Sequence, residues 1–267
     1  MEDIELYQGD SLKVLPDIPD ASVDCIVTSP PYWKGFEYEA YFNSYAQYLE
    51  WTKNWLAECK RTLAKNGTLW LNVANDSETT VRAFELMEIA TRELMFKLHD
   101  TVVWYRYNQQ PANTDRQLTN QCEFVFMLRH TSAGVELNKD QAYANCPSLF
   151  KTKNVGNVWE LPFNSGKQNV EGFGRKEVAA KWGHSGFPVE LPETCILLST
   201  KEGDTVMDCF MGSGTTGVAC KKLGRKFIGI ELIPEYVEIS RNRIESTGKA
   251  ANQITIDDLY QITIDDL

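Results

Sequence analysis

Two stretches of this chain carry residues whose types and spacing can do chemistry. The first is Val206-Met-Asp-Cys-Phe-Met-Gly-Ser-Gly-Thr-Thr-Gly217, in which an apolar run ends at Asp208 and a glycine-rich turn follows. Glycines let the backbone approach a ligand closely, and a helix opening at Thr215 would offer free N–H groups. A P-loop would need Lys after the last glycine, but Val218 stands there, so Walker-type phosphate binding is disfavoured. Gly212-Ser-Gly214-Thr-Thr-Gly217 does fit G-x-G-x-x-G, and Glu231 ends the next predicted strand, where it can accept from ribose hydroxyls. Those features point to a nucleoside-bearing cofactor, with NAD and S-adenosylmethionine both open. Asp208 favours S-adenosylmethionine, because an anion there opposes a pyrophosphate and suits the cationic amino group of a methionine moiety.

The second stretch is Val27-Thr28-Ser29-Pro30-Pro31-Tyr32-Trp33. A predicted strand over 23–27 runs straight into two prolines, neither of which has an N–H for a ladder. Taken alone, it reads as a rigid turn capped by core aromatics.

The elements that must position these stretches alternate between strand and helix. Strands are expected at 4–7 and 23–27, with a helical turn at Gly9-Asp10-Ser11 between them. Tyr45, Tyr48, Leu49, Thr52, Trp55, Leu56, Cys59 and Leu63 recur at helical spacing, predicting a helix over 44–64 that ends in a left-handed cap at Asn66-Gly67. A buried strand at 68–73, a helix at 79–96 and strands at 101–107 and 122–128 follow. Past the middle of the chain come a helix at 194–199, a strand at 205–208, a helix at 215–223, a strand at 227–231 and a helix at 234–245. This alternation implies an α/β sheet with crossovers. Residues 108–185 break the rhythm with Asn-, Gln-, Gly- and Lys-rich clusters, and read as a long-looped insertion anchored by Phe150, Val158, Trp159 and Phe163.

At 267 residues, 43% apolar and 24% charged, the chain is ordinary globular material. It has no run long enough to span a bilayer, and its start shows no signal-peptide pattern. Seven scattered cysteines without a C-x-x-C pair suggest neither a zinc ribbon nor a redox dithiol, but buried thiols in a cytoplasmic protein. The net charge of −10 argues against a nucleic-acid partner at first sight. Its distribution weakens that objection, since residues 106–185 alone are net basic, at +3, between flanks of −8 and −5.

Together, VTSPPYW and DCFMGSGTTG with Gly229-Ile-Glu231 resemble the β group of amino-directed DNA methyltransferases, in which a catalytic tetrapeptide precedes the cofactor loop. Gly9-Asp10, the stretch 15–26, Val158-Trp159, His184-Ser-Gly-Phe-Pro188 and Gly224–Glu231 with Tyr236 extend the resemblance, which covers 6–105 and 155–245. Cys209 stands where Pro is usual, and Ser185-Gly186 where Pro-Ala is. The resemblance implies a Rossmann-like methyltransferase sheet, mostly parallel with one antiparallel strand and flanking helices. It assigns 1–107 and 186–250 to the catalytic domain, 108–185 to an inserted target-recognition region and 251–267 to an acidic tail. S-adenosylmethionine would be the cofactor and S-adenosylhomocysteine the product, with no metal. The partner would be double-stranded DNA, with room for a homodimer, in the cytoplasm of a prokaryotic or viral system.

Residue by residue, the resemblance makes Ser29, Pro30, Pro31 and Tyr32 catalytic. The Ser29 side chain and the Pro30 carbonyl would each accept from one hydrogen of an exocyclic amine, turning its lone pair toward the sulfonium methyl. Tyr32 would stack on the flipped base and Trp33 would wall its pocket. Asp10 would accept from the cofactor's adenine amino group (its alternative is a helix N-cap), and Thr28, Asp208, Phe210, Gly212, Ser213, Gly214, Thr215, Thr216 and Glu231 would complete the cofactor site. In the insertion, Arg106, Lys151, Lys153, Arg175 and Lys176 are expected DNA contacts, with Arg116, Lys167 and Lys181. Ser at the first tetrapeptide position favours N4 of cytosine over N6 of adenine. Cytosine C5 chemistry is disfavoured, since its Pro-Cys pair occurs only reversed, as Cys146-Pro147. The repeated tail QITIDDL reads as a frayed terminus or as a partner-docking peptide resembling sliding-clamp ligands. Rival readings are a cofactor binder without turnover, a nicotinamide dehydrogenase and an RNA base methyltransferase.

Overall fold

Eight segments rich in Val, Ile, Leu and aromatic residues pair into one sheet in the computed structural model. The model describes residues 3–35, 39, 42–75, 80–109, 118–130, 136–146, 149–150, 152–162 and 186–248. The strands are β1 (Ile4–Gln8), β2 (Val23–Thr28), β3 (Leu63–Val73), β4 (Lys97–Tyr105), β5 (Cys122–Arg129), β6 (Val158–Glu160), β7 (Thr205–Asp208) and β8 (Lys226–Glu231). Their order is β1-β8-β7-β2-β3-β5-β4-β6. All neighbours run parallel except at β5, which is antiparallel to both β3 and β4. This is the expected mostly parallel sheet with one reversed strand.

Parallel strands covered on both faces lose the alternation of a half-exposed sheet and become nearly continuous apolar runs. The central strand β2 shows this: Ile26 packs into one hydrophobic layer, and Cys25 and Val27 into the other. On the first face lie α2 (Tyr45–Thr62), with Tyr48, Trp51, Trp55 and Leu56 turned inward, and α3 (Arg82–Glu88). On the second lie α4 (Lys139–Asn145), α5 (Glu190–Ser199) and α6 (Thr215–Leu223). A short α1 (Ser11–Val14) follows β1, and α7 (Pro234–Ser246) follows β8. Among the described residues no helix is long and apolar enough to cross a membrane.

Several expectations need correction. Asn66-Gly67 is no helix cap: α2 ends at Thr62, its C-cap Leu63 is already extended, and β3 runs through both residues. The helix expected over 79–96 is a short α3 followed by a π-turn at Ile89–Glu93. Residues 108–185 are not wholly an insertion, because β5 lies inside the sheet between β3 and β4, and β6 pairs with β4. Local sequence cannot show which strands pair, so a central strand flanked by polar loops looked peripheral. Phe150 and Trp159 anchor the region as expected, being 5% and 1% exposed, whereas Val158 is 58% exposed. Phe163, His184 and the tail lie outside the described residues.

Candidate active site

Parallel pairing of β1, β8, β7 and β2 brings four strand ends to one edge of the sheet, the place where open α/β sheets bind ligands. Asp10 follows β1, Glu231 ends β8, Asp208 ends β7, and Ser29 follows β2.

The glycine turn is built around Asp208, which is 2% exposed. Its Oδ1 accepts from Thr28 Oγ1 at 2.8 Å and from the Phe210 amide at 3.1 Å, and its Oδ2 accepts from Thr216 Oγ1 at 2.7 Å. Burial raises its pKa to about 6 despite these donors. The turn needs glycine at Gly214, where φ is +78° and a Cβ would lie 2.8 Å from that of Ser240. Gly217 has a different reason: its Cβ would meet Ile244 Cδ1 at 2.3 Å and the Phe227 ring at 2.8 Å. Helix α7 grips the turn, since Ser240 Oγ donates to the Gly212 carbonyl at 2.7 Å and Arg243 donates to the Ser213 carbonyl.

Each oxygen of Glu231 already accepts one backbone N–H at 2.9 Å, from Gly212 and from Ile233. A carboxylate oxygen has room for a second donor, so both remain able to accept ribose hydroxyls. Burial pushes the Glu231 pKa up to about 7. Asp10 is the N-cap of α1, accepting from the Leu12 amide at 3.0 Å, and it faces the same cleft.

Beyond β2, the prolines end the ladder and the chain turns across the mouth of the sheet. Ser29 Oγ lies 2.7 Å from Tyr32 Oη, and Tyr48 Oη donates to the Pro31 carbonyl at 2.9 Å. Trp33 adopts φ +51°. The Glu39 carboxylate holds this bend by accepting from the Trp33 and Lys34 amides, each at 2.7 Å. Ser29 to Tyr32 form one wall of a cleft of about 1130 Å³, open mouth included, whose other wall is Asp10, Asp208–Ser213 and Glu231. Such a cleft can hold a nucleoside by its hydroxyls at one end and present its other end to two fixed acceptors.

The family described as DNA methylase matches residues 23–242. The chain belongs to the DNA methylase family. It is 32% identical to the Type II methyltransferase M.Cfr9I of Citrobacter freundii, over 94% of this chain and 90% of that protein. It is 29% identical to the Type II methyltransferase M.HinfI of Haemophilus influenzae, over 94% and 71%. Its fold matches the cytosine-N4-specific PvuII DNA methyltransferase with a TM-score of 0.77 at 22% identity, covering 98% and 92% of the two chains. The M1.HpyAVI–SAM complex matches with a TM-score of 0.61 at 25% identity, covering 90% and 98%.

In this methylase the cleft brings together Ser29, Pro30, Pro31, Tyr32, Asp10, Asp208, Phe210, Gly212, Ser213, Thr215 and Glu231. Thr28 and Thr216, both fully buried, support Asp208 from behind rather than lining the cleft, and Gly214 serves the turn. Trp33 is not part of the lining; its ring sits 5.2 Å from that of Tyr45. Arg106 is not an exposed DNA contact. It is 7% exposed and ion-paired to Glu123 at 3.1 Å, because it directly follows the sheet strand β4. Lys153 is exposed, while Lys151, Arg175 and Lys176 lie outside the described residues.

Sequence reasoning missed Asn72, Glu123, Trp51, Ser240 and Arg243. Asn72 Nδ2 donates to Glu123 Oε2 at 2.9 Å and Ser29 Oγ lies 3.4 Å from it. The available signal was a polar residue inside a buried apolar strand: Asn72 in TLWLNV and Glu123 in CEFVFMLR.

Proposed function

We propose that this methylase transfers the methyl group of S-adenosylmethionine to the exocyclic amine of a base turned out of double-stranded DNA, with N4 of cytosine preferred over N6 of adenine. The observation carrying this reading is that Ser29 and Pro30 share one cleft with Glu231, Asp10 and the glycine turn. When bound, the cofactor supplies an electrophilic methyl on a sulfonium. Glu231 would accept from its ribose hydroxyls and Asp10 from its adenine amino group. Asp208 is already bonded to three protein donors, so it would act on the cationic end chiefly through its charge and through the turn it holds.

The target amine is a poor nucleophile while its lone pair is conjugated with the ring. Ser29 Oγ and the Pro30 carbonyl would each accept one amine hydrogen, holding the nitrogen so that its lone pair points at the methyl carbon. The new C–N bond forms as the S–CH₃ bond breaks, leaving S-adenosylhomocysteine, and the nitrogen then sheds a proton to water. The Tyr32 ring, which lines the cleft, would stack on the flipped base. Lys153, with Lys151, Arg175 and Lys176, would meet phosphates. The preference for cytosine rests on Ser29, a neutral hydroxyl at the position where an ionised Asp would be the stronger acceptor.

The test is to incubate the protein with unmethylated DNA and labelled S-adenosylmethionine, digest to nucleosides and identify the product by mass. N4-methylcytosine is expected. N6-methyladenine would keep the transfer chemistry and sink the base assignment. No label in DNA, with Ser29→Ala equally silent, would overturn the reading.

A further inference from the structure

Behind the cleft wall lies a buried polar cluster that the transfer chemistry above does not use. Glu123 is 3% exposed on β5 and does not line the cleft. Its Oε1 takes Arg106 Nη1 at 3.1 Å. Its Oε2 takes Asn72 Nδ2 at 2.9 Å and faces Tyr32 Oη at 3.5 Å. Asn72 Nδ2 is also 3.2 Å from Tyr32 Oη and 3.4 Å from Ser29 Oγ. Tyr32 Oη lies 2.7 Å from Ser29 Oγ and 3.2 Å from the Asn72 carbonyl.

We propose that Glu123 is a positioning residue that fixes the direction of the Ser29 hydroxyl, keeping a lone pair of Ser29 Oγ aimed at the target amine. The inference rests on the amine-methylation reading and extends it to residues outside the cleft. Both oxygens of Glu123 face donors, as an ionised carboxylate requires. Its demand for donors turns the Asn72 amide so that Nδ2 faces the cluster, and Asn72 Oδ1 is left buried without a partner among the described residues. Turned the other way, the amide would set Oδ1 against the Glu123 carboxylate oxygen, a repulsion that outweighs the cost of the orphaned Oδ1. With Asn72 Nδ2 donating to it, Tyr32 Oη gives its own proton to an acceptor-only group, the Asn72 carbonyl or Glu123. The geometry of the 2.7 Å contact allows either hydroxyl to be the donor, and on this proposal it is Ser29 that donates to Tyr32. The Ser29 proton points away from the cleft, and what remains toward the substrate is an acceptor. An amine hydrogen needs that acceptor and would be repelled by an O–H.

Glu123→Gln preserves shape but supplies one acceptor and one donor where two acceptors are needed. Arg106 takes the oxygen, so the new NH₂ faces Asn72 and Tyr32 and reverses the direction of the chain. Measured against wild type, Glu123→Gln should lose about tenfold or more in kcat. Its S-adenosylmethionine Kd and DNA KM should stay close to wild type, while its unfolding midpoint falls because buried Arg106 loses its charged partner. Glu123→Asp, which keeps the carboxylate, should recover part of the rate. A Glu123→Gln rate within about twofold of wild type overturns the inference, as does a loss confined to KM. Should Glu123→Gln fail to fold, Tyr32→Phe breaks the same chain while keeping the ring, and an unchanged kcat there overturns it equally. Infrared difference spectra of wild type minus Glu123→Gln at neutral pH read the carboxyl without turnover. An ionised carboxylate band supports the inference, and a protonated carboxyl band overturns it. A wild type that transfers no methyl to DNA defeats the functional reading instead, and the infrared result still decides the state of Glu123.

Discussion

Thr28 Oγ1 donates to Asp208 Oδ1 across 2.8 Å, tying the C-terminal end of β2 to that of β7. These residues are 180 positions apart in sequence, and the bond joins the strand that delivers Ser29 to the strand that delivers the glycine turn. Both side chains are buried, so neither can exchange the bond for one to water. The separation between the wall that carries Ser29 and the wall that carries the glycine turn is therefore set by a few buried hydrogen bonds as well as by the ladder.

Thr28→Val keeps the shape of the side chain but removes a donor from a buried carboxylate. Loss of about 1–3 kcal/mol of stability is expected, because the remaining partners do not replace the missing bond. Denaturant unfolding measures it. Weakened S-adenosylmethionine binding by calorimetry should accompany the loss, and unchanged stability would mean that the bond is not made in solution.

The glycines separate strain from packing. Gly217→Ala places a methyl against Ile244 and Phe227 and should cost about 1–3 kcal/mol by overpacking. Gly214→Ala adds a left-handed φ and a clash with Ser240, so it should cost more and abolish cofactor binding. Parallel unfolding and binding curves for the two variants check the order. Equal effects would refute the distinction.

Acidity should act on folding and on binding with opposite signs. Burial holds Glu231 up at about 7 and Asp208 at about 6, above their ordinary 4.5 and 3.8. Groups raised on folding contribute stability that is fully present below the unfolded values and is lost as pH rises through the folded ones. The denaturant midpoint of the cofactor-free protein should thus fall between about pH 4 and about pH 7.5 from these two groups. Ribose hydroxyls need the ionised Glu231, of which only about a tenth exists one unit below its pKa. The S-adenosylmethionine Kd should therefore tighten by up to about tenfold between about pH 6 and about pH 8. Glu231→Gln should bind weakly with no such trend, and a wild-type Kd flat over that range would count against Glu231 as the ribose acceptor.

Arg106→Ala removes one member of a buried ion pair and leaves Glu123 uncompensated. About 3–5 kcal/mol of destabilisation is expected, read by denaturant unfolding. DNA affinity, measured as a function of salt, should keep the wild-type slope, since a buried arginine neutralises no phosphate. A slope reduced by about one would restore Arg106 as a backbone contact.

The local sequence was enough for the parts of this protein that depend on neighbours along the chain. The glycine turn between β7 and α6, the strand that stops at two prolines, and Glu231 at the end of β8 follow from backbone freedom and from period. So does the α/β alternation, with most helix and strand positions correct to a few residues. Only the tertiary structure decided which strands lie side by side. It placed β5 inside the sheet, although polar loops surround it in sequence, and thereby made Arg106, expected as a DNA contact, the buried partner of Glu123 beneath Ser29 and Tyr32. Asn72 on β3 and Glu123 on β5 each stand out in an apolar run, but neither run shows which strand it pairs with, so the bond between them has no local signature. Burial then sets the electrostatics: the carboxyls of Asp208 and Glu231 are raised by the low-dielectric surroundings that the assembled sheet provides, and a chain not yet folded around them has no such surroundings.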